Sequence, residues 1–162
     1  MKRIKTIKII SLLMLFMLLG FKNKAETTTY KCMIQMTNYS GEGAYVIISL
    51  LNPEGKYEKT LYVQGDDDEW YSEITAWWKF QGKRRTDIDA ITGATISGGG
   101  RMISVIEIEN SKIDTGYKIR FETAVENQEY YKDDVEFELT SETIKNKIEG
   151  TGFIRYVRMM AQ

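Results

Sequence analysis

The 162-residue sequence contains no histidine. That absence removes Ser-His-Asp triads, Cys-His pairs and most zinc sites from consideration. Cysteine occurs once, at Cys32, so neither an internal disulfide nor an iron–sulfur cluster can form within the chain. The lone cysteine reads as a small buried apolar residue on a strand. Proline also occurs once, which leaves extended segments with few interruptions. No internal repeat or low-complexity tract is present. Asp and Glu are plentiful enough for a paired-carboxylate hydrolase, but nothing in the sequence singles out a pair. Any redox chemistry would have to come from a bound cofactor.

Basic charge is scarce outside the first 25 residues. Lys2, Arg3, Lys5 and Lys8 precede the apolar run "IISLLMLFMLLGF", which is shorter than the ~20 apolar residues of a membrane span. Residues 1–25 are therefore expected to be a signal peptide, cleaved after Ala25, with 26–162 as a single domain. Because "NKA" is a poor small-x-small site, an uncleaved N-terminal anchor is the alternative. Cys32 follows "TYK" rather than the apolar run, which argues against lipid attachment. Cleavage removes six of the 22 basic residues and none of the 23 acidic ones, leaving 16 against 23 and a net charge of −7. That sign argues against nucleic acid and anionic membrane surfaces as partners.

The remainder reads as strands. In "YKIRFETAV", Tyr117, Ile119, Phe121, Thr123 and Val125 share one face, and Lys118, Arg120 and Glu122 the other. "VEFEL" (135–139) and "YEKTLYV" (57–63) alternate likewise, and "AYVIISLL" is continuously apolar, as a central strand would be. Residues 30–39, 102–108 and 152–160 complete about seven strands. "NPEG" places Pro53 second and Gly55 fourth, the pattern of a type I hairpin turn. The fold class expected is all-β, an immunoglobulin-like antiparallel β-sandwich with one short helix. That helix is expected over residues 68–81, where Trp70, Ile74, Trp77 and Trp78 recur at helical spacing, packed over the sandwich edge.

Two loops stand out. "GDDDEW" (65–70) is the tightest acidic run; it reads as a solvated loop or, less simply, as oxygen ligands for calcium, although EF-hand spacing is absent. "DAITGATISGGGR" (89–101) is more particular than a turn requires.

The segment Asp89-Ala90-Ile91-Thr92-Gly93-Ala94-Thr95 resembles the flavinylation motif of bacterial extracytosolic flavoproteins. There an Asp precedes Ser/Thr-Gly-Ala-Thr/Ser, and the last hydroxyl residue carries FMN through a phosphoester bond. The flavin subunits of sodium-translocating NADH:quinone reductases and Rnf complexes carry this pattern, and a dedicated FMN transferase makes the bond from FAD. The resemblance implies Thr95 as acceptor, with Asp89, Thr92, Gly93 and Ala94 as recognition residues. Gly93 would let the backbone approach closely. Arg101 would lie near the FMN phosphate or be an ordinary charge at a strand start. Of the pair Trp77 and Trp78, one is expected to plug the core while the other is available to stack on the isoalloxazine.

The order "YVIISLLNPEGKYEKTLYVQG", "AWWKF", "DAITGAT", "GYKIRFETAVE" is similar to a periplasmic family, domain-of-unknown-function family twenty-two seventy-one, over roughly residues 28–139. Members of that family resemble immunoglobulin-like sandwiches, many look like FMN-transferase substrates, and they tend to be encoded with PepSY-type membrane reductases. A Trp-Asp-Gly turn common in the family is replaced here by "EIENSKIDTGY". The resemblance implies an exported flavoprotein relaying electrons between a membrane reductase and an extracytosolic acceptor, a carrier rather than a stand-alone enzyme. The competing readings are a non-catalytic sandwich module binding a protein or glycan, and a calcium-stabilised module using Asp66, Asp67 and Asp68.

Overall fold

A computed structural model describes residues 25–82 and 91–162. The expected signal segment, Ala25 apart, and Asp89 lie outside the described residues. Nine strands form two sheets: β1 (Thr27–Met36), β2 (Tyr45–Leu51), β3 (Tyr57–Gln64), β4 (Ile91–Thr92), β5 (Arg101–Glu109), β6 (Lys118–Ala124), β7 (Tyr130–Glu138), β8 (Lys147–Glu149) and β9 (Ile154–Ala161). One sheet runs β5-β1-β9-β8 and the other β4-β3-β2-β6-β7. Every pairing is antiparallel except the two-residue parallel contact of β3 with β4. The result is an all-β sandwich. Its first strand lies inside a sheet, between β5 and β9, whereas the immunoglobulin order places the first strand at an edge.

The core forms where the alternation predicts it. Tyr30, Cys32, Ile34 and Met36 of β1 point inward against Val46, Ile48, Leu50, Ile119, Phe121 and Val135. Cys32 is fully buried and free, and burial pushes its thiol up to about 12, so it behaves as an apolar side chain. All seven residues of β2 are buried, because both of its faces are covered. The hairpin at Asn52–Gly55 closes with the Gly55 N–H donating to the Asn52 carbonyl at 2.8 Å, and Gly55 takes a φ of 73° that favours glycine.

The segment expected as one helix is two. A 3-10 helix at Asp68–Glu73 ends at Ile74, where φ −80° and ψ 65° break the helical path, and α1 follows over Thr75–Gln81. Nor does α1 sit at an edge. Tyr71, Ile74 and Trp77 pack on Tyr45, Ile47, Val63 and Ala124, the outer face of the five-stranded sheet. This strap explains why the polar face of β6 is buried. Arg120 is 7% exposed and Glu122 0%. Arg120 pairs with Glu136, its Nε to Oε2 at 2.7 Å, and stacks over the Tyr57 ring. Glu122 accepts a hydrogen bond from the Tyr130 hydroxyl, while its Oε1 and the Tyr57 hydroxyl are buried with no hydrogen-bond partner of good geometry among the described residues. Burial raises the Glu122 carboxyl to about 7, partly opposed by Tyr130, Tyr57, Arg120 and Lys132.

Candidate functional site

The motif loop lies at one end of the sandwich, beside the start of β2 and the end of β3. The backbone of Thr92 pairs with Gln64. Four residues on, buried Ile96 forms a two-way bridge to Ala44, with N–H to carbonyl distances of 2.8 and 3.0 Å. The Tyr39 hydroxyl locks that bridge, accepting the Ala44 N–H at 2.8 Å and donating to the Ile96 carbonyl. Between these anchors Gly93, Ala94 and Thr95 form an exposed arch, and the Gln64 side-chain amide donates to the Ala94 carbonyl. Three residues held at both ends present their side chains with less freedom than an ordinary loop would.

The floor under Thr95 is glycine. A Cβ on Gly43 would fall 2.6 Å from the Thr95 Cβ. A Cβ on Gly65 would fall 2.5 Å from the Tyr45 ring and 3.2 Å from the Thr95 Cγ2. Gly65 also has a φ of 100°. The aromatic ring that shares this floor with Thr95 is therefore Tyr45, whose part sequence pattern alone did not reveal, since it read only as the start of a central strand. Tyr45 meets Tyr71 edge-on at 6.2 Å, and Tyr71 meets Trp77 edge-on at 5.2 Å. The Tyr71 hydroxyl donates to the Gly65 carbonyl at 2.8 Å. The aromatic strap thus braces the turn on which the motif rests.

The two loops that stood apart in the sequence meet here. Asp66 approaches Gly93 closely enough that a Cβ there would lie 3.1 Å from Oδ2. Glycine at 93 thus admits a carboxylate of the acidic run beside the arch. Asp67 caps the 3-10 helix, accepting the Glu69 N–H at 3.2 Å. Among the described residues, no group of three or more His, Cys, Asp or Glu converges in a way that could hold a metal ion.

The remaining candidates are placed as follows. Gly93, Ala94 and Thr95 lie together on the arch, and Thr92 enters it. Trp77 is fully buried, donating its Nε1–H to Thr60 Oγ1 at 2.9 Å, but it lies in the cluster beneath the strap on the outer face of the five-stranded sheet rather than at the end of the sandwich core. Trp78 is half-buried and packs 6.2 Å from Tyr71. Arg101 opens β5 on the outer face of the four-stranded sheet and donates to Gln35 Oε1 at 2.9 Å. Among the described residues no hydrogen bond or ion pair joins Arg101 to Thr95. Asp134 was not singled out by the sequence. It is 1% exposed and accepts hydrogen bonds from Thr123, Thr151, Gly152 and Ile154, tying the two sheets at the motif end. The adjacent pair Asp133-Asp134 inside a strand was its only trace.

No helix among the described residues is long and apolar enough to cross a membrane. No curated protein and no solved structure matches the chain. A family model, described as a predicted periplasmic protein family, DUF2271, matches residues 27–156, which span every strand of both sheets to within β9. The chain belongs to that periplasmic family.

Proposed function

We propose that this protein carries FMN covalently on Thr95 and relays electrons outside the cytoplasm, between a PepSY-type membrane reductase and an extracytosolic acceptor. The observation that carries the reading is the arch: an exposed Thr within Asp-x-x-Thr-Gly-Ala-Thr, pinned on both sides and floored by glycines. Thr95 is exposed with its Oγ1 turned toward Gly43, so rotation of the side chain would present the hydroxyl to a second enzyme's active site without unfolding the sandwich. In the attachment step, a P–O bond forms between Thr95 Oγ1 and the FMN phosphorus of FAD. The pyrophosphate bond breaks, AMP leaves, and the hydroxyl proton is released to the FMN transferase or solvent.

The surroundings of the arch bear on how a flavin attached there would sit. Gly43 and Gly65 let the Thr95 side chain and the Tyr45 ring pack against backbone, and Gly93 admits the Asp66 carboxylate, so the arch itself is closely packed and a flavin would lie on its exposed side. The flavin supplies one- and two-electron chemistry when bound; the chain supplies position and access. No general base is needed for electron relay, which agrees with the absence of histidine.

The test is denaturing gel fluorescence of protein co-produced with an FMN transferase in an exporting host. Wild type and Thr95→Ser are expected to retain flavin fluorescence, because the motif accepts either hydroxyl. Thr95→Ala is expected to lose it and keep its fold. Covalent flavin retained in Thr95→Ala would overturn the assignment. Asp89→Ala is expected to slow attachment without a change in melting temperature.

A further inference from the structure

β5 is an edge strand of nine residues, and among the described residues no strand pairs with its outer edge. Its outward side chains are Arg101, Ile103, Val105, Glu107 and Glu109, all exposed. Edge strands of this length are usually blunted by lysine, proline or a bulge along their middle. Here the middle holds Ile103 at 59% exposure and Val105 at 47%, and the third exposed large hydrophobic described, Met160 at 47%, is on the same sheet. The cross-strand rows place charged residues beside these side chains. Val105 is opposite Lys31, which is opposite Met160; Ile103 is opposite Met33, which is opposite Arg158. Two of the three exposed large hydrophobics described thus sit on the edge strand itself, with Met160 two strands in, across Lys31.

The charges of β5 are arranged by end, basic first and acidic last. An antiparallel copy of the same strand, related by a two-fold axis at Ser104, places Arg101 opposite the partner's Glu107. It places Ile103 opposite the partner's Val105, and each pair occurs twice. On the inward side Met102 falls opposite the partner's Ile106. The strand is therefore complementary to itself in charge and in apolar content, as an isologous interface requires.

We propose that β5 is a homodimerisation strand, joining two four-stranded sheets into one continuous eight-stranded sheet through antiparallel β5–β5 pairing centred on Ser104. The new ladder satisfies the edge N–H and C=O groups, and the Ile103–Val105 contacts cover the exposed apolar row. Antiparallel pairing sends the two Thr95 arches to opposite ends of the dimer, so each copy meets its own redox partner. The inference does not depend on flavin.

The test is the mass in solution of the full chain, purified from an exporting host, by light scattering and sedimentation across a concentration series. Wild type is expected to reach twice the monomer mass. R101E and E107R are each expected to weaken dimerisation at least tenfold, since each sets two like-charge pairs across the seam. The double variant R101E/E107R is expected to restore it. Unchanged circular dichroism melts establish that the single variants fold. A wild type that stays monomeric to its solubility limit would overturn the proposal, as would a dimer indifferent to both single variants. A double variant no better than the singles would overturn the register.

Discussion

The outer face of the five-stranded sheet lies beneath Tyr71, Ile74 and Trp77, whereas the outer face of the four-stranded sheet leaves Ile103, Val105 and Met160 in solvent. The contrast runs opposite to composition. The covered face includes Arg120 and Glu122, and the open one includes isoleucine and valine. Strand alternation identifies two faces of a strand but not which of them meets another layer. Burial here is decided by a segment distant in sequence, the strap at 65–82, which crosses one sheet and not the other. The strap also braces the motif, through Tyr71 to Gly65. The covered face is therefore part of the scaffold of the proposed site, while the open face is available to a partner.

The contrast can be broken from either side. Trp77→Ala deletes the largest fully buried side chain of the strap and removes the N–H that Thr60 Oγ1 accepts, leaving Thr60 with its bond to Gln81. A loss of about 3–5 kcal/mol is expected by chemical denaturation. A loss below about 1 kcal/mol would mean that the strap does not hold the face.

The buried carboxyl sets a pH signature for the same face. Glu122 rises from 4.5 to about 7 on folding because burial disfavours its charge. Across that window the folded state keeps a proton that the unfolded chain releases. Stability therefore falls as pH rises from 4.5 to 7, by roughly 3 kcal/mol, and levels off above. Glu122→Gln is expected to flatten that slope. A slope unchanged in the variant would assign it to other groups.

Gly43→Ala probes the link between the strands and the arch. Its Cβ would fall 2.6 Å from the Thr95 Cβ, so the arch must shift. The expected cost is about 1–3 kcal/mol. In the Thr95→Gly background most of that cost is expected to vanish, since the colliding side chain is gone. Additive losses would place the strain elsewhere. The smallest effect belongs to the open face: Ile103→Ser in dilute, monomeric protein is expected to change stability by less than about 0.5 kcal/mol.

Much of the sandwich was legible. "AYVIISLL" announced a strand buried on both faces, and "NPEG" announced its hairpin. The two-residue β4 and three-residue β8 are too short for periodicity to register, so about seven strands were expected where nine form among the described residues. The tryptophan spacing announced a helix but not its break at Ile74, nor which of Trp77 and Trp78 turns inward. Of the candidate site, the motif marked the loop but not the anchors at Thr92 and Ile96 that pin it. Nor did it mark Tyr45 and Asp66, because both reach the arch through chain crossings that local sequence does not encode.

The measurement that tests the central claim most directly is the intact mass of the exported protein, co-produced with an active FMN transferase and followed by peptide mapping. The account predicts a gain of one FMN less one water, confined to the peptide containing Thr95. An unmodified mass, with the transferase active on a control substrate, would contradict it.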